Sequence, residues 1–260
     1  MKSEQRLPLS VCMIAGAEAH RIRRALDSVS DWTGEIVVVI NKEVSDGTDQ
    51  IAESHGAKVF REPWKGHIAQ KNSAAEKAAS EWLLGLDADE EVSPALRDEI
   101  RRVVATPGDC SAFCFPRCTY FCGRWIRHGD WYPDRQTRLW RRGQACWGGV
   151  DPHDKLLVQG QVGRLRSDLL HYNAERIDFQ LAKIASYSND FARAARANER
   201  NATWCDLAVR PAWRFLRAYF IRLGFLDGWQ GFYIAWMTSF YTLTRYAKVR
   251  EARQGERETL

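Results

Sequence analysis

Over its first ninety residues the chain alternates short apolar runs with stretches of helical periodicity, and that alternation restricts the fold more than any other feature. Leu9–Gly16 (LSVCMIAG), Glu35–Asn41 (EIVVVIN), Ala57–Pro63 (AKVFREP) and the run that opens at Glu81 (EWLLGL) read as strands. The second is a continuous β-branched run, the pattern of a strand covered on both faces. Between them, Ala17–Trp32 carries Ile22, Ala25, Leu26 and Val29 at helical spacing. Asp49–Gly56 reads as a short helix closed by Gly56, and His67–Ala79 as a third helix. Strand–helix alternation calls for an α/β fold with a mostly parallel sheet and right-handed crossovers. Such sheets bind ligands beyond the carboxyl ends of their strands. Ala15–Glu18, Asn41–Thr48, Glu62–Gly66 and Asp87–Glu91 all fall at such ends, so four loops are expected to converge on one edge. With 260 residues, 45% hydrophobic and 27% charged, the chain can bury a sizeable core in one large domain, or in a domain plus an appendage.

The fourth run ends in Asp87, Asp89, Glu90 and Glu91. Carboxylates gathered at one point repel each other unless a cation sits among them. Asp87 and Asp89, one residue apart, can face the same crevice, and Mg²⁺ takes one or two carboxylates and completes its shell with water and substrate phosphates. A solvated loop with capping acids is the plainer reading. Glu90 and Glu91 are expected to face solvent or to favour the start of the helix Pro94–Ala105.

Seven cysteines and no secretory leader point to a reducing, cytoplasmic setting. Cys110, Cys114, Cys118 and Cys122 recur every fourth residue, but their spacers are apolar and Pro116 opposes a helix. They read as one face of a strand packed in a core rather than as a metal site.

LSVCMIAGAEAHRIRRALDSV, EIVVVINKEVSDGT, WKGHIAQKNSAAEKAASEWLLGLDADEEV and HGDWYPDRQTRLWRR together resemble the family 2 glycosyltransferases, most of all the branch of lipopolysaccharide core glucosyltransferases. The resemblance covers most of residues 7–175. It implies a GT-A (Rossmann-like) fold with a nucleotide-sugar half over 1–105, an acceptor half over 106–175, and a helical appendage over 176–260. It implies inverting transfer of a hexose such as glucose from a nucleotide sugar, expected to be a UDP-sugar, to a lipopolysaccharide-core or other cell-envelope glycan, with Mg²⁺ or Mn²⁺ as cofactor. Asp87 and Asp89 match the family's Asp-x-Asp, whose second Asp binds the metal; Asp46 sits in its Asp-Gly-Thr turn; Lys71 and Asn72 match a Lys-Asn pair near the donor. The chain departs from the family twice. Ala17–Glu18 stands for Asn-Glu, so only Glu18 carries over, and Asn41 stands for an Asp near the nucleobase, which leaves the nucleotide open.

Inverting transfer needs a general base near the acceptor hydroxyl and positive charge near the leaving diphosphate. Asp154, which follows His153, and Asp130 are the candidate bases, in that order. Trp131 and Tyr132 could stack on a sugar face. Arg135 and Arg138 read either as contacts to a phosphorylated acceptor or the diphosphate, or as a solvated strand face. His171 reads equally as a group near the metal or diphosphate and as a structural histidine.

Arg210 to Arg253 carries seven Arg and one Lys against one Asp and one Glu, which more than accounts for the net charge of +5, and twelve aromatics lie between Trp213 and Tyr246. Its longest charge-free stretch, Gly228 to Thr244, is 17 residues with several polar positions, at the short limit for a membrane span. Aromatic helices flanked by Arg suit peripheral attachment to the anionic inner face of a plasma membrane; packing on the domain or on a second subunit is the alternative. Transfer to a polyprenyl phosphate fits the same tail. A sugar nucleotidyltransferase fits less well, because no Gly-rich phosphate loop follows the first strand. Nucleic acid is not an expected partner, since the basic region is aromatic and amphipathic.

Overall fold

A computed structural model describes residues 6–150, 153–174, 177–198 and 201–258, with the side chains of residues 153, 173, 174, 179 and 254–258 outside the description. The strands are β1 (Leu7–Ala15), β2 (Thr33–Asn41), β3 (Lys58–Glu62), β4 (Trp82–Gly85), β5 (Glu90–Val92), β6 (Cys110–Phe121), β7 (Arg124–Ile126), β8 (Asp134–Arg141), β9 (Ala145–Val150), β10 (His153–Val158), β11 (Gln161–Arg164) and β12 (Leu169–Ala174). The helices are α1 (Ile22–Asp27), α2 (Thr48–Ser54), α3 (His67–Lys77), α4 (Pro94–Ala105), α5 (Ile177–Ala197), α6 (Trp204–Leu216) and α7 (Gly228–Glu258).

Ten strands form one sheet in the order β3-β2-β1-β4-β8-β6-β12-β5, with β7 and β11 also paired to β6; β9 and β10 form a separate antiparallel pair. The first four strands are parallel to one another, as the alternation requires, while β8 runs antiparallel to both β4 and β6. In β2, Ile36 to Ile40 are all buried, which is why that run is apolar without alternation. One face packs Leu9, Val11, Val38 and Leu84 under Ile22, Leu26, Leu96 and Ile100 of α1 and α4. The other packs Val37, Val39 and Leu83 against Ala74 and Ala78 at the α3 end, and against Trp140 and Trp147.

Two local expectations are corrected. The helix after β1 begins at Ile22 rather than at Ala17, because Ala17–Arg21 is a loop fixed by side chains of the next one: Glu18 N–H donates to Thr48 Oγ1 (2.9 Å) and Ala19 N–H to Asp46 Oδ2 (3.0 Å). Glu90 does not face solvent. It opens β5, pairs with β12 and is 1% exposed. The helix start is capped instead by Ser93, whose hydroxyl accepts from Leu96 N–H, with Pro94 in the first turn. The segment is extended from Cys110 to Phe121, and β6 runs through Pro116, which pairs with Arg135, but Cys122 lies in the turn that follows, at a φ of +44°, so only three of the four cysteines lie on the strand. Cys118 is buried and the other three are half-buried.

The chain divides into two compact units, residues 1–117 with 134–171, and residues 118–133 with 172–260. In the second, α6 opens with a reciprocal cap between Thr203 and Asp206, and α6 and α7 pack through Phe215 on Trp236 (centroids 4.9 Å apart). Among the described residues no helix is long and apolar enough to cross a membrane.

Candidate active site

At the end of β4 the chain leaves the sheet through Leu86 and places Asp87 among cations. Asp87 pairs with Arg138 Nη2 (2.9 Å) from β8 and with Lys71 Nζ (3.2 Å) from α3. Lys71 also reaches Asp154 Oδ2 (2.9 Å) on β10, so one ammonium joins two carboxylates that lie 67 positions apart in the chain. Burial alone would raise the Asp87 carboxyl, but Arg138 and then Lys71 outweigh it and hold the group well below the usual carboxylate range. Arg138, which burial would lower, is pushed above ordinary arginine by Asp87 and Glu90.

Glu90, Arg117 and Trp147 complete this cluster; Glu90 was expected to face solvent or to favour the helix start, and the other two did not stand out in the sequence. Glu90 accepts the Asp87 N–H (3.0 Å) and pairs with Arg117 (3.4 Å) and Arg138 (3.7 Å), so it fixes the backbone that presents Asp87. Arg117 pairs in turn with Asp134 (2.6 Å). The ring of Trp147 lies under Lys71 (4.7 Å) and Arg138 (5.1 Å). Asn72 clamps the Trp147 backbone from both sides: its Nδ2 donates to the carbonyl (2.9 Å) and its Oδ1 accepts the N–H (2.8 Å). Gly85 makes room for that indole, since a Cβ there would meet Trp147 at 3.0 Å. The acid after the apolar run was the available signal for Glu90. Nothing local marks Trp147, whose place depends on β9 folding back over α3.

A cavity of about 540 Å³ opens on this cluster. Lys71, Arg117, Arg135, Arg138 and Lys155 line it against Asp87 and Asp154, an excess of three positive charges. It therefore suits a polyanion better than a cation or a neutral ligand.

Asp89 sits apart from these pairs. Its Oδ2 lies 3.6 Å from His171 Nε2 and 3.6 Å from Arg21 Nη1, and Arg21 is held in place by Glu18 (Nη2 to Oε1, 2.8 Å). Burial would raise the Asp89 carboxyl, yet the His171 imidazole, with Arg21 behind it, holds it below its ordinary value. No group of three or more His, Cys, Asp or Glu gathers at one point among the described residues. The 3.6 Å between Asp89 Oδ2 and His171 Nε2 would let both reach one divalent cation.

Three of the four loops expected at this sheet edge, those after β1, β2 and β4, thus meet. Asp46 ties the first two together: besides Ala19 N–H, it accepts from Thr48 N–H (3.1 Å) across Gly47, whose φ of +90° favours glycine. Hydrogen bonding from Thr48, and then from Ala19, lowers its carboxyl. Asn41 ends β2 half-exposed, its Oδ1 accepting from Glu43 N–H. Asp130, Trp131 and Tyr132 belong to the other unit. Asp130 is surrounded by Arg214 (2.7 Å), Arg222 (3.2 Å) and Arg217 (3.6 Å), and Trp131 stacks edge-on against Phe121. The side chain of His153 lies outside the described residues.

A profile described as Glycosyl transferase family 2 matches residues 10–157. An uncharacterized glycosyltransferase of Rickettsia bellii is 31% identical over 94% of this chain and 86% of its own length. The lipopolysaccharide core biosynthesis glycosyltransferase LpsC of Rhizobium meliloti is 28% identical over 94% of this chain and 92% of its own. Among solved structures, the mannosyltransferase PcManGT from Pyrobaculum calidifontis, in complex with GDP-Man and Mn²⁺, has a similar fold at 14% identity (TM-score 0.57, covering 95% of this chain and 88% of that one).

Proposed function

The chain belongs to glycosyl transferase family 2 and has a GT-A α/β fold, and from that premise we propose that it moves a hexose, with inversion, from a nucleotide sugar to a lipopolysaccharide-core or other cell-envelope glycan. The observation that carries the reading is the positively charged cavity in which Lys71 joins Asp87 to Asp154. The name of the LpsC relative supports the acceptor class. In this reading residues 1–105 bind the donor and 106–175 the acceptor. Glu18, Asn41, Asp46, Lys71, Asn72 and Asp87 shape the donor site, Glu18 and Asp46 through the loops they hold and Asn72 through Trp147.

Asp154 is the general base. It takes the proton of the acceptor hydroxyl as that oxygen bonds to the anomeric carbon, while the bond to the diphosphate breaks and its electron pair leaves with the nucleotide. Lys71, Arg138 and Arg135 supply positive charge to the departing diphosphate. Asp89 and His171 would hold a divalent cation, whose chemistry there is to neutralise that diphosphate. The imidazole nitrogen favours Mn²⁺ over the strictly oxygen-seeking Mg²⁺. Asp130, paired with three guanidiniums, is not assigned as a base. The exposed aromatic helices of residues 176–260 hold the enzyme on the inner face of the plasma membrane.

Incubation with UDP-, GDP- and ADP-sugars and Mn²⁺ tests the reading through donor hydrolysis. One nucleotide sugar should be turned over, and Asp154→Asn should bind it normally while losing at least about a hundredfold in turnover. Turnover of none, or full turnover by Asp154→Asn, would refute the respective assignment.

A further inference from the structure

Twenty large apolar side chains are exposed among the described residues, and fourteen of them lie between Trp204 and Leu243. Trp213, Phe220, Ile221, Phe225, Trp229 and Trp236 are each 44% exposed or more. On α7 the exposed positions 229, 232, 236, 240 and 243 follow helical spacing, so they form one stripe rather than scattered sites. A soluble surface rarely leaves so many aromatics in water without a partner.

Arg214 stands on α6 beside Trp213, Arg217 directly follows Leu216, the last residue of that helix, and Arg222 closes the short helical segment Arg217–Ile221. All three converge on Asp130, whose side chain is 2% exposed, while their own remain 32–41% exposed. One carboxylate cannot neutralise three guanidiniums, so two positive charges are left over at the base of an apolar stripe. Burial, and then repulsion from Arg217, Arg245 and Arg222, pushes Arg214 below ordinary arginine even though Asp130 pulls the other way. A buried acid at the centre and partly exposed arginine side chains around it form a preassembled receptor for a tetrahedral anion, because Arg matches phosphate oxygens in pairs. Beside an aromatic stripe, the anion with the matching second half is a lipid phosphate, whose acyl chains lie where the aromatics point.

We propose that Arg214, Arg217 and Arg222, organised by Asp130, form a binding site for the phosphate of an anionic membrane lipid, at the foot of the aromatic stripe that enters the leaflet. The inference rests on the membrane reading of residues 176–260 and deepens it by naming the site and the headgroup chemistry. It gives Asp130 a positioning role outside the sugar-transfer chemistry.

Cosedimentation of the full chain with phosphatidylcholine vesicles, with and without phosphatidylglycerol, tests it. The wild type should partition more strongly onto the anionic vesicles. Arg217→Gln with Arg222→Gln should lose about tenfold or more of that preference, while keeping wild-type binding to phosphatidylcholine and wild-type donor hydrolysis in lipid-free solution. Phe220→Ser with Trp229→Ser should weaken binding to both vesicles. Circular dichroism of each variant should match the wild type. If the arginine variant keeps the full anionic preference, the site is wrong while the membrane reading stands. If the wild type ignores both vesicles, both fall and the transferase reading does not. Inorganic phosphate that raises the thermal midpoint of the wild type but not of the arginine variant, with no vesicle binding, would make this a free-anion site and overturn the proposal.

Discussion

Glu90 shows how a site residue can act without touching a ligand. It is buried, accepts the Asp87 N–H and sits against Arg117 and Arg138, so it balances charge under the carboxylate it presents. Glu90→Ala leaves two guanidiniums with one acid fewer and an amide without its acceptor, and should cost about 3 kcal/mol in chemical denaturation. Glu62 makes a different prediction. Lys65 (2.8 Å), Lys77 (2.5 Å) and the Ser73 hydroxyl (2.8 Å) hold its carboxyl at about 2 against an ordinary value of 4.5. A lowered folded value means that the contribution is complete above 4.5 and is lost as pH falls towards 2. Because the site reaches water, Glu62→Gln should cost only about 0.5–1 kcal/mol at neutral pH. That difference should vanish in unfolding curves taken near pH 2.

The end of β4 is the element on which the site turns. Gly85 lets Trp147 cross it, and Asn72 keeps Trp147 from moving aside. Gly85→Ala should therefore cost about 1–3 kcal/mol through overpacking. It should also weaken nucleotide-sugar binding, since Lys71 and Arg138 rest on the same indole. A calorimetric melt together with a binding titration checks both. The elements near this point differ in how much of them the sequence reveals. β2 and β4 are readable as strands because apolar runs of that length, between turn residues, have few alternatives. Asp87 and Asp89 stand out because acids rarely end a buried strand without a purpose. The loop that replaces the first turns of α1 is hidden, because Ala17–Arg21 has good helical composition and is held open only by Asp46 and Thr48 from another loop. The burial of Glu90 is hidden for the same reason: β5 exists only because β12, some eighty residues later, pairs with it.

The whole molecule combines two chemistries in separate compact units. The first carries most of the family match and the charged cavity; the second carries the aromatic stripe and the arginines around Asp130. The charge excess of the C-terminal third was readable from composition. The capture of Asp130 by three of its arginines was not, because that pairing joins a turn at residue 130 to helices more than eighty residues away. The account stands or falls on the donor site. The most direct test titrates the nucleotide sugar that the wild type hydrolyses, with and without Mn²⁺, into the wild type and Asp89→Ala. The wild type should bind at least tenfold more tightly when Mn²⁺ is present, and Asp89→Ala should show no such gain. Equal, Mn²⁺-dependent affinity in both proteins would contradict the account.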